Sequence, residues 1–306
     1  MSKRRQVKKQ KFFSFWVAHT NRFLACVGLF LLLSTSTFAQ SRADCSVLQS
    51  TILHRAIPYC VVLPPSFSTD KTKHFPVLYY FHGIGDNEQS LINTGGWNQY
   101  DDLLRQKKVG EFIMAAPAGG ATFFINSRDG RVLYEDFFLK EFMPAIEKKY
   151  RASAQRSQRG LIGISMGGFG ALHMGFAHPD LFVSTAGIMP ALMEKLPSSF
   201  GSDAQQQLMQ QVFGDASNIA YYNRQSVFTF ARTQPVATLK RMKIYFAAGA
   251  SDDYDFELGG AALHKILDQR SIPHEWHLDP GRHSPQFALS HFDPALEFTS
   301  KAFGLN

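Results

Sequence analysis

Residues 157–178 constrain this chain more than any other stretch. Ser157-Gln158-Arg159-Gly160 leads into an apolar run, Leu161 to Ile164, which meets Ser165 and then Met166-Gly167-Gly168-Phe169-Gly170. A helix-permissive segment with Ala171, Leu172, Met174, Phe176 and Ala177 follows at once. The order is strand, tight turn, helix. In so sharp a turn the central residue's backbone is strained and its neighbours' side chains would collide, so Gly163 and Gly167 fall where only a hydrogen fits. The turn lifts the Ser165 hydroxyl above the end of a sheet. In a chain with 23 glycines the pentapeptide G-x-S-x-G is by itself a weak signal. The competing reading, a structural glycine turn, loses ground because a strand precedes it, a helix follows, and an acid and a histidine stand downstream in the order Ser, Asp, His.

The first 39 residues differ in kind from the rest. Lys3, Arg4, Arg5, Lys8, Lys9, Lys11 and Arg22 are basic, no acid occurs before Asp44, and Phe23 to Leu33 form an apolar run that ends in small residues and Thr37-Phe38-Ala39. This is the pattern of a secretory signal peptide cut after Ala39, which predicts an exported protein, periplasmic or secreted. An uncleaved anchor is the alternative, but the apolar run falls short of the roughly 20 residues a spanning helix needs. Taking the leader's seven basic residues from the total of 32 leaves 25, against 25 acidic ones. The formal charge of +7 therefore belongs to the leader and gives no support for a nucleic acid or an acidic membrane surface as partner.

Residues 40–306 read as a single catalytic domain, since about 265 residues at this hydrophobic content suffice for one large core. Of three cysteines, Cys26 lies in the leader. Cys45 and Cys60 remain, and the sequence leaves open a disulfide between them or a free buried thiol at Cys60.

Strand-like segments occur at Val47 to Leu53 and Tyr59 to Leu63, with a turn near His54 to Pro58. Pro76 to Phe81 and Glu111 to Ala116 are wholly apolar or nearly so, as buried central strands should be. A helix is expected over Gln99 to Gln106. Between Tyr134 and Tyr150, Phe137, Phe138, Phe142, Met143 and Ile146 are spaced for one face of a helix. Phe182 to Ile188, Lys243 to Ala248 and His274 to Leu278 continue the strands, and Leu258 to Gln269 and Phe287 to Phe303 the helices. Residues 189–239 lack a strand of the central type and fit either a small cap over the site or packing at the sheet edge. Strands alternating with helices predict an α/β fold with a mostly parallel sheet covered on both faces.

A serine hydroxyl is a poor nucleophile at neutral pH. It needs a histidine to take its proton, and that histidine needs a carboxylate to fix its tautomer. Such groups belong in loops at the carboxyl ends of strands. Gly249-Ala250-Ser251-Asp252-Asp253 is one such loop, with Asp252 as the acid and Asp253 as its understudy; Asp255 is expected to serve as a helix cap or a solvated turn residue. Pro280-Gly281-Arg282-His283 is the other, with His283 as the base and His291 as runner-up. His274 and His277 read as half-buried strand residues, and His264 as a helix residue. An oxyanion needs two backbone donors, and the amides of Met166 and Ile84, in the His82-Gly83-Ile84-Gly85 loop, are placed to supply them. His82 reads as support for that loop.

These stretches carry a resemblance. Tyr80-Phe81-His82-Gly83-Ile84-Gly85, Gly163-Ile164-Ser165-Met166-Gly167-Gly168, Gly249-Ala250-Ser251-Asp252 and Pro280-Gly281-Arg282-His283 resemble the putative-esterase family of α/β-hydrolases. That family includes esterase D type S-formylglutathione hydrolases, carbohydrate esterase family 1 and the antigen 85 mycolyltransferases. The resemblance spans about residues 45 to 303. It implies an α/β-hydrolase fold, a Ser165, Asp252, His283 triad, an Ile84 and Met166 oxyanion hole, and a small-molecule or carbohydrate-linked ester as substrate, with no cofactor or metal. One departure is that Ser284-Pro285-Gln286 precedes Phe287, where the family often has an aromatic residue shortly after the histidine. The expectation is a serine carboxylesterase, with a thioesterase of S-formylglutathione hydrolase type, a sugar acyltransferase, or a hydrolase-fold binding protein as alternatives.

Overall fold

The computed structural model describes residues 40–197, 202–215 and 217–305. The leader reading lies outside these residues. No helix among them is long and apolar enough to cross a membrane.

Eight strands form one sheet in the order β1-β2-β4-β3-β5-β6-β7-β8, where β1 is Arg42–Ser50, β2 Arg55–Leu63, β3 Val77–Phe81, β4 Ile113–Pro117, β5 Arg159–Ile164, β6 Ser184–Ile188, β7 Lys243–Gly249 and β8 Glu275–Asp279. β1 and β2 form an antiparallel hairpin and β2 runs antiparallel to β4, whereas every pair from β4 to β8 is parallel. The sheet is therefore mostly parallel with an antiparallel margin, and its parallel strands are apolar because both faces are covered. The fold is that of an α/β-hydrolase.

Alternation along β3 shows how the faces divide. Tyr79 and Phe81 pack with Phe138, Phe142, Phe169 and Leu172 on one side, while Leu78 and Tyr80 pack with Tyr100, Leu103, Phe292 and Leu296 on the other. On the first side lie helices Met143–Tyr150, Met166–Ala177 and Phe256–Gln269; on the second lie Gly96–Arg105 and Pro285–Ala302. β4 follows β3 to one side and β5 follows it to the other, so the strand order reverses between β3 and β5. A crevice at the carboxyl ends of strands opens at such a switch point. Loops following β3 and β5 line it.

Several boundaries differ from the sequence reading, each for a physical reason. The hairpin turn falls at residues 51–54, earlier than expected, because nine consecutive pairs hold β1 against β2 from Ser50 opposite Arg55 outward. In that register Cys45 faces Cys60, and the two form a disulfide. The single helix expected from Tyr134 to Tyr150 is helical throughout, but its middle, Phe138–Phe142, has the wider π register. Pro144 has no N–H and its ring crowds the carbonyl four residues earlier; the amide of Met143 reaches back to the Phe138 carbonyl instead, so the extra residue is absorbed just ahead of the proline. Pro294 likewise lies inside the Pro285–Ala302 helix without ending it.

Within residues 189–239 the described helices are Asp203–Phe213, Ala220–Gln225, Val227–Thr233 and Val236–Leu239. Val227–Thr233 packs on the Met166–Ala177 and Phe256–Gln269 helices. Phe213 meets Phe123, Phe169 and Tyr222 edge-on.

Candidate active site

Ser165 sits between β5 and the helix that begins at Met166, with φ +56° and ψ −116°. A side chain there is strained by roughly 1–3 kcal/mol, and the surroundings must hold it in place. They do so at three points: the Ser165 amide donates to the Ile188 carbonyl, and the Ser165 carbonyl accepts from Ala191 and Phe169. The flanking glycines have no substitute. A Cβ on Gly163 would lie 2.0 Å from the Gly167 carbonyl oxygen, and one on Gly167 would lie 2.0 Å from that of Phe81. The Ser165 turn, β3 and the helix thus touch backbone to backbone.

Two more loops meet the serine. His283 Nε2 lies 2.9 Å from Ser165 Oγ, and His283 Nδ1 lies 2.8 Å from Asp252 Oδ2. The second Asp252 oxygen accepts from the Tyr254 amide at 3.0 Å. A carboxylate only accepts, so Nδ1 carries the hydrogen and Nε2 presents its lone pair to the serine hydroxyl. The Asp252 side chain is fully buried. The acid loop and the histidine loop are tied by Ser251 N–H to the Gly281 carbonyl and Ala250 N–H to the Asp279 carbonyl.

Asp253 takes another role. It pairs with Arg282 across the loop surface, and the guanidinium's hydrogen bonds and charge hold its carboxyl below the usual range. Asp255 occupies the residue before the Phe256–Gln269 helix, makes no side-chain capping bond and is exposed, which matches the solvated turn residue of the sequence reading rather than the cap. Its backbone is left-handed there, φ +57°, rather than the extended conformation that aims a capping oxygen at the first turn. His291, the runner-up, points away from the serine: its Nε2 is 2.9 Å from Asp279 Oδ2 and its ring stacks on Phe287.

The loop after β3 completes the site. His82 is wholly buried, and its two nitrogens link adjacent loops: Nδ1 donates to the Gly83 carbonyl at 2.8 Å, while Nε2 accepts the Gly119 N–H at 2.8 Å. Burial lowers its pKa, which suits a neutral ring that must both donate and accept. A Cβ on Gly83 would stand 3.8 Å from the Cβ of Ser165, so this loop passes directly beside the serine. Ile84 follows at the cavity wall, and its amide has no protein acceptor among the described residues. Met166 is the first residue of its helix, so its N–H has no intrahelical partner and points out of the helix's positive end.

A cavity of about 370 Å³ opens over Ser165 and His283. Its walls are mainly apolar, with Tyr80 from β3, Leu91 and Phe292 from helices packed beside it and Phe123 from a loop; the 189–239 segment contributes Met189, Ala191 and Gln205. Tyr254 and Phe256 stand edge-on to His283 at 5.0 and 5.5 Å between ring centroids. Aromatic residues thus flank the histidine from the acid loop, two and four residues after Asp252, while Phe287 is buried against His291. The flanking aromatics expected after His283 are thus Tyr254 and Phe256 instead, which the sequence signals only by their position shortly after the acid.

A parallel sheet with a serine at a strained strand–helix turn, bonded to a loop histidine and its carboxylate, defines an α/β-hydrolase of serine type. The chain belongs to the family described as Putative esterase, whose model matches residues 50–286. Among its relatives, the esterase Rv1288 of Mycobacterium tuberculosis is 26% identical over 243 residues, covering 73% of this chain and 51% of that protein. The chain therefore spans about half the length of this relative. An endo-1,4-beta-xylanase/feruloyl esterase of Xylanibacter ruminicola is 30% identical over 116 residues, covering 37% of this chain and 16% of that protein. A ferulic acid esterase structure superposes with a TM-score of 0.76 at 24% identity, covering 87% of this chain and 99% of that one. An S-formylglutathione hydrolase from Agrobacterium tumefaciens superposes with a TM-score of 0.69 at 18% identity, covering 88% and 98%.

Proposed function

We propose that this protein is a serine carboxylesterase in which Ser165, His283 and Asp252 are the catalytic residues. The observation that carries the reading is the chain of two hydrogen bonds, 2.9 and 2.8 Å, from Ser165 Oγ through the His283 ring to the Asp252 carboxylate, at the floor of an apolar cavity. Ser165 Oγ attacks the ester carbonyl as His283 Nε2 removes its proton. Asp252 holds the ring and stabilises the imidazolium. The tetrahedral oxyanion is bound by the amides of Ile84 and Met166, and His283 returns the proton to the departing alcohol. Water, activated by the same nitrogen, then releases the acid from the acyl-enzyme.

The cavity supports a substrate class. At about 370 Å³ it lies near the small end of ligand sites and holds an acyl group or a small ester rather than a polymer. Its apolar walls disfavour a charged acyl group. An ester of feruloyl- or acetyl-sugar type fits these limits, and the named feruloyl esterase relative and the fold likeness to a ferulic acid esterase agree with that choice. The basic and apolar leader supports export of this activity from the cytosol; amino-terminal sequencing of exported protein should begin at Gln40.

The test is hydrolysis by the purified protein of p-nitrophenyl acetate, butyrate and octanoate, methyl ferulate, acetylated xylan and S-formylglutathione, each against Ser165→Ala. A Ser165-dependent preference for methyl ferulate or acetylated xylan is the expected result. Preference for S-formylglutathione would replace the substrate class with a thioester. Failure of a fluorophosphonate to label Ser165 in folded protein would overturn the enzyme reading in favour of a binding protein.

A further inference from the structure

A second group of chemistry-bearing side chains lies at the edge of the sheet, on residues outside the serine cavity's lining. His264 and Asp268 stand one turn apart on the Phe256–Gln269 helix, so their side chains share a face. The chain turns through Arg270 and Ser271, the latter with φ +50°, and returns as His274 just before edge strand β8. One ligand atom from each of His264, Asp268 and His274 lies within 4.8 Å of the other two.

The hydrogen bonds give these atoms a definite chemistry. His274 Nδ1 is 2.8 Å from the Ile272 carbonyl oxygen, which can only accept, so Nδ1 carries a hydrogen. In the neutral ring Nε2 then holds a lone pair, and it faces His264 Nδ1 at 2.7 Å. The other nitrogen of His264 lies 3.5 Å from Asp268 Oδ2. His274 is also stacked on Phe246, with ring planes 10° apart, which fixes the plane in which its lone pair points. A ring whose Nδ1 is tied to a backbone carbonyl while Nε2 is turned toward other donors is the arrangement that orients histidines for metal binding. The contact between the two imidazoles is held by a single shared proton, and a cation can take that proton's place.

We infer that His264, Asp268 and His274 form a binding site for one divalent transition-metal ion, of which Zn²⁺ is the representative. His274 donates through Nε2, His264 through one ring nitrogen and Asp268 through a carboxylate oxygen, with solvent filling the fourth position. Two imidazoles and one carboxylate suit a first-row transition ion rather than Mg²⁺ or Ca²⁺, which prefer oxygen ligands. At metal–nitrogen distances of about 2.0–2.1 Å a tetrahedral site separates its ligand atoms by roughly 3.3 Å, so the two imidazoles must part by a fraction of an ångström. The half-exposed His264 and exposed Asp268 can make that adjustment. A bound ion cross-links the end of the helix to the edge strand and has no part in ester hydrolysis.

The test is a calorimetric titration of the EDTA-treated, purified protein with Zn²⁺, together with the visible spectrum of a Co²⁺ titration. One equivalent of each should bind, with the d–d bands of a four-coordinate Co²⁺ site. His264→Ala, His274→Ala and Asp268→Asn should each weaken Zn²⁺ by at least about tenfold, the lower bound seen even for residues that only support a ligand. Zn²⁺ should raise the melting temperature of the unaltered protein, as any ligand of the folded state does, and raise it less in these variants. His277→Ala should bind as the unaltered protein does, and His264→Ala should leave the rate of ester hydrolysis unchanged. Asp268 is exposed, so Asp268→Asn retains the fold and keeps the test decisive. Absence of saturable binding in the micromolar range, or undiminished binding in both Asp268→Asn and His274→Ala, overturns the assignment.

Discussion

Glu135→Gln is the perturbation whose consequence can be worked furthest from the structure. Glu135, behind the Met166–Ala177 helix, accepts from His173 Nε2 at 3.0 Å and from His178 Nε2 at 2.7 Å. His173 is wholly buried, and its Nδ1 faces the Gln225 carbonyl at 2.8 Å. Both its nitrogens thus face acceptors, and both bonds are made only when both carry hydrogen. Burial alone would push the Glu135 carboxyl up, but the hydrogen bonds and charge of the two histidines outweigh it and hold the group far below its ordinary range. Each charge-assisted bond is worth about 1.5–3 kcal/mol, and glutamine keeps one as a neutral bond of about 1 kcal/mol while turning its NH₂ toward the other histidine's N–H. Because His178 is partly exposed, its share is discounted, leaving an expected loss of about 2–4 kcal/mol at neutral pH. For a domain of this size that lowers the melting temperature by roughly 5–15 °C. The pH dependence carries the sharper sign. A carboxyl whose folded pKa is depressed contributes stability that is present above its unfolded value, about 4.3, and is lost as pH falls toward the folded value. The gap between the unaltered protein and Glu135→Gln should therefore be full at pH 7 and shrink steadily below about pH 4.5. Urea unfolding followed by circular dichroism measures it. A gap under about 0.5 kcal/mol at pH 7, or one that stays constant down to about pH 3, would mean that Glu135 is not held ionised by these two histidines.

Three other outcomes follow from named contacts. Asp252→Asn should lower kcat about 10,000-fold by presenting the wrong tautomer of His283, whereas Asp253→Asn, which breaks only the exposed pair with Arg282, should change it by no more than a few-fold; equal losses would exchange their roles. Gly163→Ala should yield little folded protein on a solubility and circular dichroism check, since its Cβ would lie 2.0 Å from a backbone oxygen that cannot move without unseating Ser165. Replacing Cys45 and Cys60 by Ala should cost about 3 kcal/mol in denaturant unfolding, the value expected for opening a loop of 15 residues, and no change would mean that the hairpin holds without its cross-link.

The parallel core was legible because its signals are local. An apolar run such as Val77–Phe81, buried along its whole length, followed by His82-Gly83 and a loop, admits few readings other than an inner strand. The hairpin was placed less well, because the turn after Ser50 is set by pairing with residues 55–63 and by Glu141, which accepts from Ser50, Thr51 and Ile52 across some 90 residues of sequence. No window around the turn contains that information. The π segment before Pro144 was hidden for a different reason. Apolar spacing reports which face is buried but is nearly blind to one residue of extra register, and only the missing N–H of Pro144 marked the place.

The candidate site divides along the same line. Ser165, Asp252 and His283 each follow a strand within a short, readable phrase, and the switch point between β3 and β5 explains why phrases so far apart in sequence end beside one another. Choosing Asp252 over Asp253 needed one more fact, the direction of the loop, and the Ser251 N–H to Gly281 carbonyl bond supplies it by turning one carboxylate inward to His283 and the other outward to Arg282. The cavity wall has no such phrase. Tyr80, Leu91, Phe123, Met189, Gln205 and Phe292 come from six separate segments, and each is an ordinary apolar or polar residue in its own context. Reaction type is thus written in loops that chemistry constrains residue by residue, whereas the choice of acyl group is written in a surface that exists only after folding. Substitutions at Leu91 or Phe292 should accordingly shift the ranking of acetyl, butyryl and feruloyl esters while leaving labelling of Ser165 by a fluorophosphonate intact; loss of labelling would mean that these walls support the catalytic loops rather than select the acyl group.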